Sequence, residues 1–211
     1  MDSALVAFVL QGAALGLTAA ASPGPLQTLL ISEALIGGFK RAAPIAFAPL
    51  VTDVPIVLLM LIVLKQLPPI AIRGLSIVGG LYVLYLAWGL WKQWRAGAGR
   101  DFKADDTQIS VWTTLRRGAL TNFLNPNPYL SWATVGGPIL LSALDQSAWH
   151  AGAFLLGMYG VMIGTMLALA MVFHTARRLG PRLVRVMLFV SIIILIIFGG
   201  LLIMRGLFAA G

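Results

Sequence analysis

Apolar runs of about 20 residues recur along this chain from one end to the other, and a run of that length matches the hydrocarbon thickness of a bilayer. The composition supports the same reading, because 59% of the 211 residues are hydrophobic and only 10% are charged. No water-soluble domain needs that much apolar surface. A backbone inside lipid must satisfy its own hydrogen bonds, so the sequence predicts an all-α polytopic membrane protein.

Six transmembrane segments are predicted. The first runs from about Ser3 to Ala21 and, after an interruption at Ser22 to Pro25, continues as Leu26 to Gly38. It lacks the positive leader of a cleavable signal and is read as a retained helix. The others run from about Ala42 to Leu64, Gly74 to Trp94, Gly118 to Ser142, Ala151 to Phe173 and Val186 to Phe208. Trp88, Trp91 and Trp94 beside Lys92 and Arg95 form an interfacial belt at the end of the third.

If the N-terminus is outside, the inner loops hold Lys40, Arg41, Lys92, Arg95, Arg100, Lys103, Arg116, Arg117, Arg177, Arg178, Arg182 and Arg185. Only Lys65, Arg73 and Arg205 fall outside, so the distribution predicts both termini outside and the long polar loop in the cytoplasm. The net charge of +8 is therefore a topology signal, and a nucleic-acid partner is set aside.

Two motifs stand out inside the apolar segments: Ser22-Pro23-Gly24-Pro25 and Asn125-Pro126-Asn127-Pro128. Each proline removes a backbone donor and blocks a regular helical turn. In lipid such a break is tolerated only where protein, water or a ligand meets the freed groups. The double-proline pair recurs at an offset of 103 residues, and Gly79-Gly80-Leu81 recurs as Gly199-Gly200-Leu201 at an offset of 120. The order is the same in both halves. Three helices per half is an odd number, so the sequence predicts one membrane domain built as two inverted repeats, residues 1–94 and 118–211, joined by a cytoplasmic loop over 95–117. Arm lengths do not match: about 20 residues precede the first break, and about eight separate Arg117 from Asn125.

Asp53 is the sharpest single candidate for function. It falls near the middle of the second segment, where a carboxylate costs about 2.5 to 3.5 kcal/mol on insertion scales. It either binds a cation or substrate ammonium, or exchanges a proton; a buried carboxyl bonded only for packing is the bland alternative. A broken helix offers carbonyls at one end and N–H groups at the other, which suit cationic and anionic groups respectively. An amino acid presents both charges. Gln27, Thr52, Asn122, Asn127, Tyr129 and Ser131 lie within a few residues of these features and are candidates to line a polar cavity. Glu33, seven residues before Lys40, ranks below Asp53 because it reaches toward the interface.

Other chemistries find little support. Cysteine is absent, which removes disulfides, thiolate metal sites and thiol relays. His150 and His174 are far apart, no metal-ligand cluster or catalytic constellation is visible, and no cofactor is implied. Gly12 with Gly16, and Gly160 with Gly164, read as close helix contacts within the fold ahead of a homodimer interface.

Taken together, Ser22 to Pro25 with Gln27, the Gly37 to Arg41 exit, Asp53, the Gly80 to Tyr85 stretch and Phe123 to Leu130 resemble the LysE family of amino-acid exporters. The resemblance covers essentially the whole chain. It implies ion-gradient-driven efflux of amino acids or related small metabolites across a bacterial or archaeal cytoplasmic membrane, with both proline breaks and the helix-two aspartate at the polar site. It also implies a transporter and not an enzyme. Branches that export basic amino acids carry an acidic residue after the Tyr-Leu of the fourth helix, where this chain has Ser131, a departure that counts against a basic substrate and leaves a small zwitterionic one as the first reading. Pro49 replaces the family's usual glycines ahead of the aspartate. The alternatives are a divalent-cation exporter of the same superfamily and a non-transporting scaffold or enzyme subunit.

Overall fold

The computed structural model describes residues 2–62, 69–97 and 110–208. Among them are ten α-helices and no strand. Helix α1 (Ser3–Ala21) starts where the Asp2 carboxylate accepts from the Ala4 N–H, and it ends where Pro23 and Pro25 withhold the donors that further turns would need. Helix α2 (Pro25–Gly37) stops at Gly38, whose φ of 78° is open to glycine and strained for other residues. The short α3 (Phe39–Ala42) and a 3-10 turn over Ala43–Phe47 lead into α4 (Ala48–Ile62), which carries Pro55.

Next comes α5 (Pro69–Arg95), followed by α6 (Val111–Phe123), which Ser110 caps by accepting from the Trp112 N–H. After a break at Leu124 and Asn125, α7 (Pro126–Ser131), a π-turn over Trp132–Gly136 and α8 (Gly137–Gln146) run on without a gap. Helix α9 (Ala148–Ala176), a 3-10 turn over Arg177–Leu179 and α10 (Pro181–Phe208) complete the described chain.

Among the described residues, five helical stretches are long and apolar enough to cross a membrane: Ser3–Ala21, Phe39–Leu59, Arg73–Arg95, Ala148–Leu179 and Pro181–Phe208. The segment expected over Gly118 to Ser142 is not among them. Its prolines and Asn125 divide it, and the π-turn interrupts its second arm, so no single apolar helix forms there. The loop expected over 95–117 is also shorter than read. Helix α6 begins at Val111, where the Ser110 cap outweighs the polarity of Thr113, Thr114, Arg116 and Arg117, and residues 98–109 lie outside the described ones. Leu64, the expected end of the second segment, and Lys65 also lie outside them.

Two long helix pairs frame the molecule, α1 against α9 and α5 against α10. Both depend on absent side chains. A methyl group on Gly12 or Gly16 would run into the backbone carbonyls of Phe154 and Met158, and one on Gly157 into that of Val9. Gly80 and Gly199 face each other across the second pair: an added Cβ on Gly80 would sit 2.7 Å from the Gly199 carbonyl oxygen, and one on Gly199 3.0 Å from that of Gly80. Such close backbone approach is how helices associate where lipid tails are as apolar as leucine. The Gly12 and Gly16 pair is thus a contact within the fold, whereas Gly160 and Gly164 meet nothing within 4 Å.

Between these pairs sit the short helices. Helix α2 packs on α9, α10 and α6, while α4 packs on α6. The outer face of α10 exposes Ile193, Ile196, Ile197 and Leu201, an apolar surface suited to lipid.

Candidate functional site

At each proline break, the helix after the break supplies a side chain to the helix that ends. The Gln27 amide donates to the carbonyl oxygens of Ala19, at 2.9 Å, and Ala20, at 3.4 Å, in the last turn of α1. The Tyr129 hydroxyl donates to the Phe123 carbonyl at 2.9 Å, in the last turn of α6. Both meet acceptors that helix ends leave without intrahelical donors. The helix starts differ. Asn125 caps α7, its side-chain oxygen accepting from the Asn127 N–H at 3.1 Å, whereas α2 starts after Gly24 with no side-chain cap.

Both breaks open onto one cavity of about 340 Å³. Ser22, Pro23, Gly24 and Gln27 line it from the first break, and Asn125, Asn127, Pro128 and Ser131 from the second. Asp53 of α4 and Asn122 of α6 complete the polar side. These are ten of the fourteen residues expected from sequence. The other four lie behind the wall. Pro25 and Pro126 are the buried first residues of α2 and α7, Tyr129 is turned toward Phe123, and Thr52 is buried beneath Asn122. Their roles here are to shape the breaks and hold the lining residues.

Asp53 is 4% exposed, and both of its oxygens have partners. Asn122 Nδ2 donates to Oδ1 at 3.3 Å and to Thr52 Oγ1 at 2.7 Å, while the Tyr159 hydroxyl of α9 donates to Oδ2 at 3.1 Å. The Trp132 side chain, at the start of the π-turn, lines the same cavity. Asp53 therefore joins α4, α6 and α9 at the cavity wall. That arrangement can receive a cation or a proton at a carboxylate whose surroundings are otherwise neutral donors.

Sequence reasoning missed the opposite wall. Met158, Met162 and Met166 of α9 line the cavity at four-residue spacing, with Leu15 and Leu26 nearby. The spacing marks a helix face, but nothing in the sequence says what that face meets. Trp132 and Tyr159 were also missed. The run Gly136-Gly137-Pro138 could have signalled a local irregularity: an added Cβ at Gly136 would come within 2.7 Å of the Trp132 ring. Glu33 stands apart from the cavity, buried at 4% exposure and paired with Arg41 and with Arg117, the latter at 3.2 Å. Among the described residues no three His, Cys, Asp or Glu side chains converge as metal ligands.

Residues 17–206 match the LysE type translocator family, a span that includes both breaks, Asp53 and all of the cavity wall except Leu15. The chain belongs to the LysE type translocator family. The resemblance read from the motifs is borne out. Membership implies a membrane exporter of amino acids or related compounds, in a family of transporters rather than enzymes. It also implies a small-molecule substrate and a lipid environment for this translocator. No curated protein matches the chain, and no solved structure does.

Proposed function

We propose that the chain is a secondary transporter that exports a small zwitterionic metabolite of amino-acid type, and that the cavity between the two proline breaks is its binding site. The observation that carries this reading is the convergence of both breaks and Asp53 on one cavity. The uncapped start of α2 suits a carboxylate, because its first N–H groups carry the positive end of the helix dipole. Asp53, with Asn122 beside it, suits either the substrate ammonium or a coupling proton. Ser131 leaves the cavity with one carboxylate, which favours a net-neutral substrate over a basic one.

The reading includes six spans with both termini outside a cytoplasmic membrane, organised as two inverted halves. Supporting it, the Gly-Gly-Leu motifs that end the two halves meet where α5 crosses α10. Helix arms account for the mismatch in the sequence. α1 has 19 residues before its break and α2 has 13 after; α6 has 13 before and Pro126 to Gln146 come after. With the termini outside, the long arms lie on the outer side and the short arms on the inner side. Both breaks then sit at one depth, at the cost of exact repeat symmetry. The same topology leaves the outward Gly160 and Gly164 of α9 as the natural face for a homodimer.

A divalent-cation exporter would want several hard oxygen ligands, and among the described residues Asp53 is the one acidic residue on the cavity. A non-transporting scaffold would have no use for a cavity at two costly breaks. The test starts with a thermal-shift screen of the purified protein against amino acids, since a ligand that binds only the folded state raises its stability. The stabilising compound is then loaded into proteoliposomes. Asp53→Asn keeps an acceptor oxygen for Asn122 and turns an amide N–H toward the Tyr159 hydroxyl, which can accept it, but cannot ionise, and it is expected to abolish efflux driven by a pH gradient. Undiminished transport by that variant would remove Asp53 from the role assigned to it.

A further inference from the structure

A second chamber, of about 190 Å³, lies away from the cavity between α2, α5 and α6 and shares no lining residue with it. The buried Ser32 and Glu33 line it together with Gln93 and Arg117, and the exposed Trp88 and Lys92 line its rim. Among the described residues the charges do not balance. One carboxylate, Glu33, is shared by two guanidinium groups, those of Arg41 and Arg117, and Lys92 adds a third cation. Arg41 is buried and also reaches Gln93 Oε1 at 3.5 Å, but the Arg117 side chain is 39% exposed. Arg117 commits one nitrogen to Glu33, at 3.2 Å, out of a group with five N–H donors.

The rim belongs to a membrane interface. Trp88 is 53% exposed, Lys92 Nζ sits 3.4 Å above its ring, and Trp91 stacks on Trp94 one turn further along. Arg185 of α10 lies over Trp94, 4.4 Å from the ring centre. Tryptophan and lysine placed so, on an outward helix face, sit at headgroup level. The chamber is thus a net-positive pocket between transmembrane helices whose mouth opens where lipid headgroups are.

The geometry points to this chamber as a binding site for a phosphate oxyanion, supplied by the headgroup of an anionic phospholipid. Arg117 and Lys92 hold the phosphate oxygens, and Trp88 packs on the glycerol region below it. The bound lipid supplies the negative charge that Glu33 alone cannot, and it bridges α5 and α6, the helices on either side of residues 98–109. Basic pockets between helices are recognised headgroup sites. This inference is independent of the transport site.

The test uses delipidated full-length protein in a neutral detergent, with thermal unfolding measured against phosphatidylglycerol, phosphatidylcholine of the same acyl chains, and inorganic phosphate. Phosphatidylglycerol is expected to raise Tm in a saturable way, with phosphatidylcholine and phosphate giving much smaller shifts. Lys92→Gln leaves the Glu33 pairs in place and is expected to weaken the lipid effect by about fivefold in apparent affinity. Arg117→Gln is expected to weaken it at least as much, and Arg205→Gln, at the opposite end of α10, to leave it unchanged. Equal stabilisation by phosphatidylcholine would overturn the site. Phosphate matching the lipid would show a free-anion site and overturn the lipid assignment. An undiminished lipid effect in both Lys92→Gln and Arg117→Gln would place the lipid elsewhere.

Discussion

Replacing Gln27 with methionine measures whether the first proline break is wet. The side chain keeps its length and volume but loses both N–H donors, leaving the Ala19 and Ala20 carbonyls without the partners they have at 2.9 and 3.4 Å. The shorter bond is a full hydrogen bond and the longer one is weak. Net hydrogen-bond contributions run from about 0.5 to 1.5 kcal/mol, and side-chain bonds in membrane proteins average about 0.6 kcal/mol. If water in the cavity takes over the freed carbonyls, Gln27→Met costs about 1 kcal/mol. If the break is dry, each stranded carbonyl costs several kcal/mol and the loss exceeds ~3 kcal/mol. Because Gln27 lines the cavity, the smaller figure is expected. Equilibrium unfolding in mixed micelles of mild detergent and SDS, read by tryptophan fluorescence, gives the difference between variant and wild type. A loss above ~3 kcal/mol would refute the aqueous cavity, and a change too small to measure would refute the Gln27 bridge.

Two further substitutions probe the inner framework by the same assay. Gly38→Ala puts a side chain at a φ of 78°, and the new methyl meets Arg177 Nη1 at 2.6 Å and His174 Nδ1 at 2.9 Å, so a loss of about 1 to 2 kcal/mol or more is expected. An unchanged midpoint would show that α2 does not end as described. Glu33→Gln leaves Arg41, 9% exposed, without its charged partner, and a loss near ~3 kcal/mol is expected, the lower end of the range for breaking a buried pair. A neutral result would mean that solvent or another anion already serves Arg41.

The membrane class and the family were legible because they rest on composition and on motifs that chemistry fixes locally. Pro23, Pro25, Pro126 and Pro128 withhold backbone donors wherever they stand, and Asp53 is costly in an apolar segment whatever its partners. Their convergence was inferred, and ten of the residues chosen do share one wall. The rest depends on tertiary placement. Nothing local distinguishes Met158, Met162 and Met166 from an ordinary buried stripe, or says that Tyr159 rather than a neighbour reaches Asp53. The start of α6 was misread for a different reason. Charge suggested a loop through Arg117, but the Ser110 cap and the burial of Thr114 and Gly118 against neighbouring helices extend the helix to Val111. Likewise, Thr52 and Tyr129 looked like lining residues by proximity in sequence, and both spend their hydroxyl groups holding the wall in place.

The central claim is that the two breaks face a single aqueous cavity through which the substrate passes. The chain has no cysteine, so single-cysteine variants report without background. Ser22→Cys and Asn127→Cys place one thiol at each break, and Leu30→Cys, at a position 0% exposed, serves as the control. The decisive measurement is the rate at which a small water-soluble thiol reagent modifies each variant in transport-active proteoliposomes, with efflux measured alongside. Both break positions are expected to react, the control to stay unmodified, and modification at either break to stop transport. Modification of only one break, or transport that continues after both have reacted, would contradict the account.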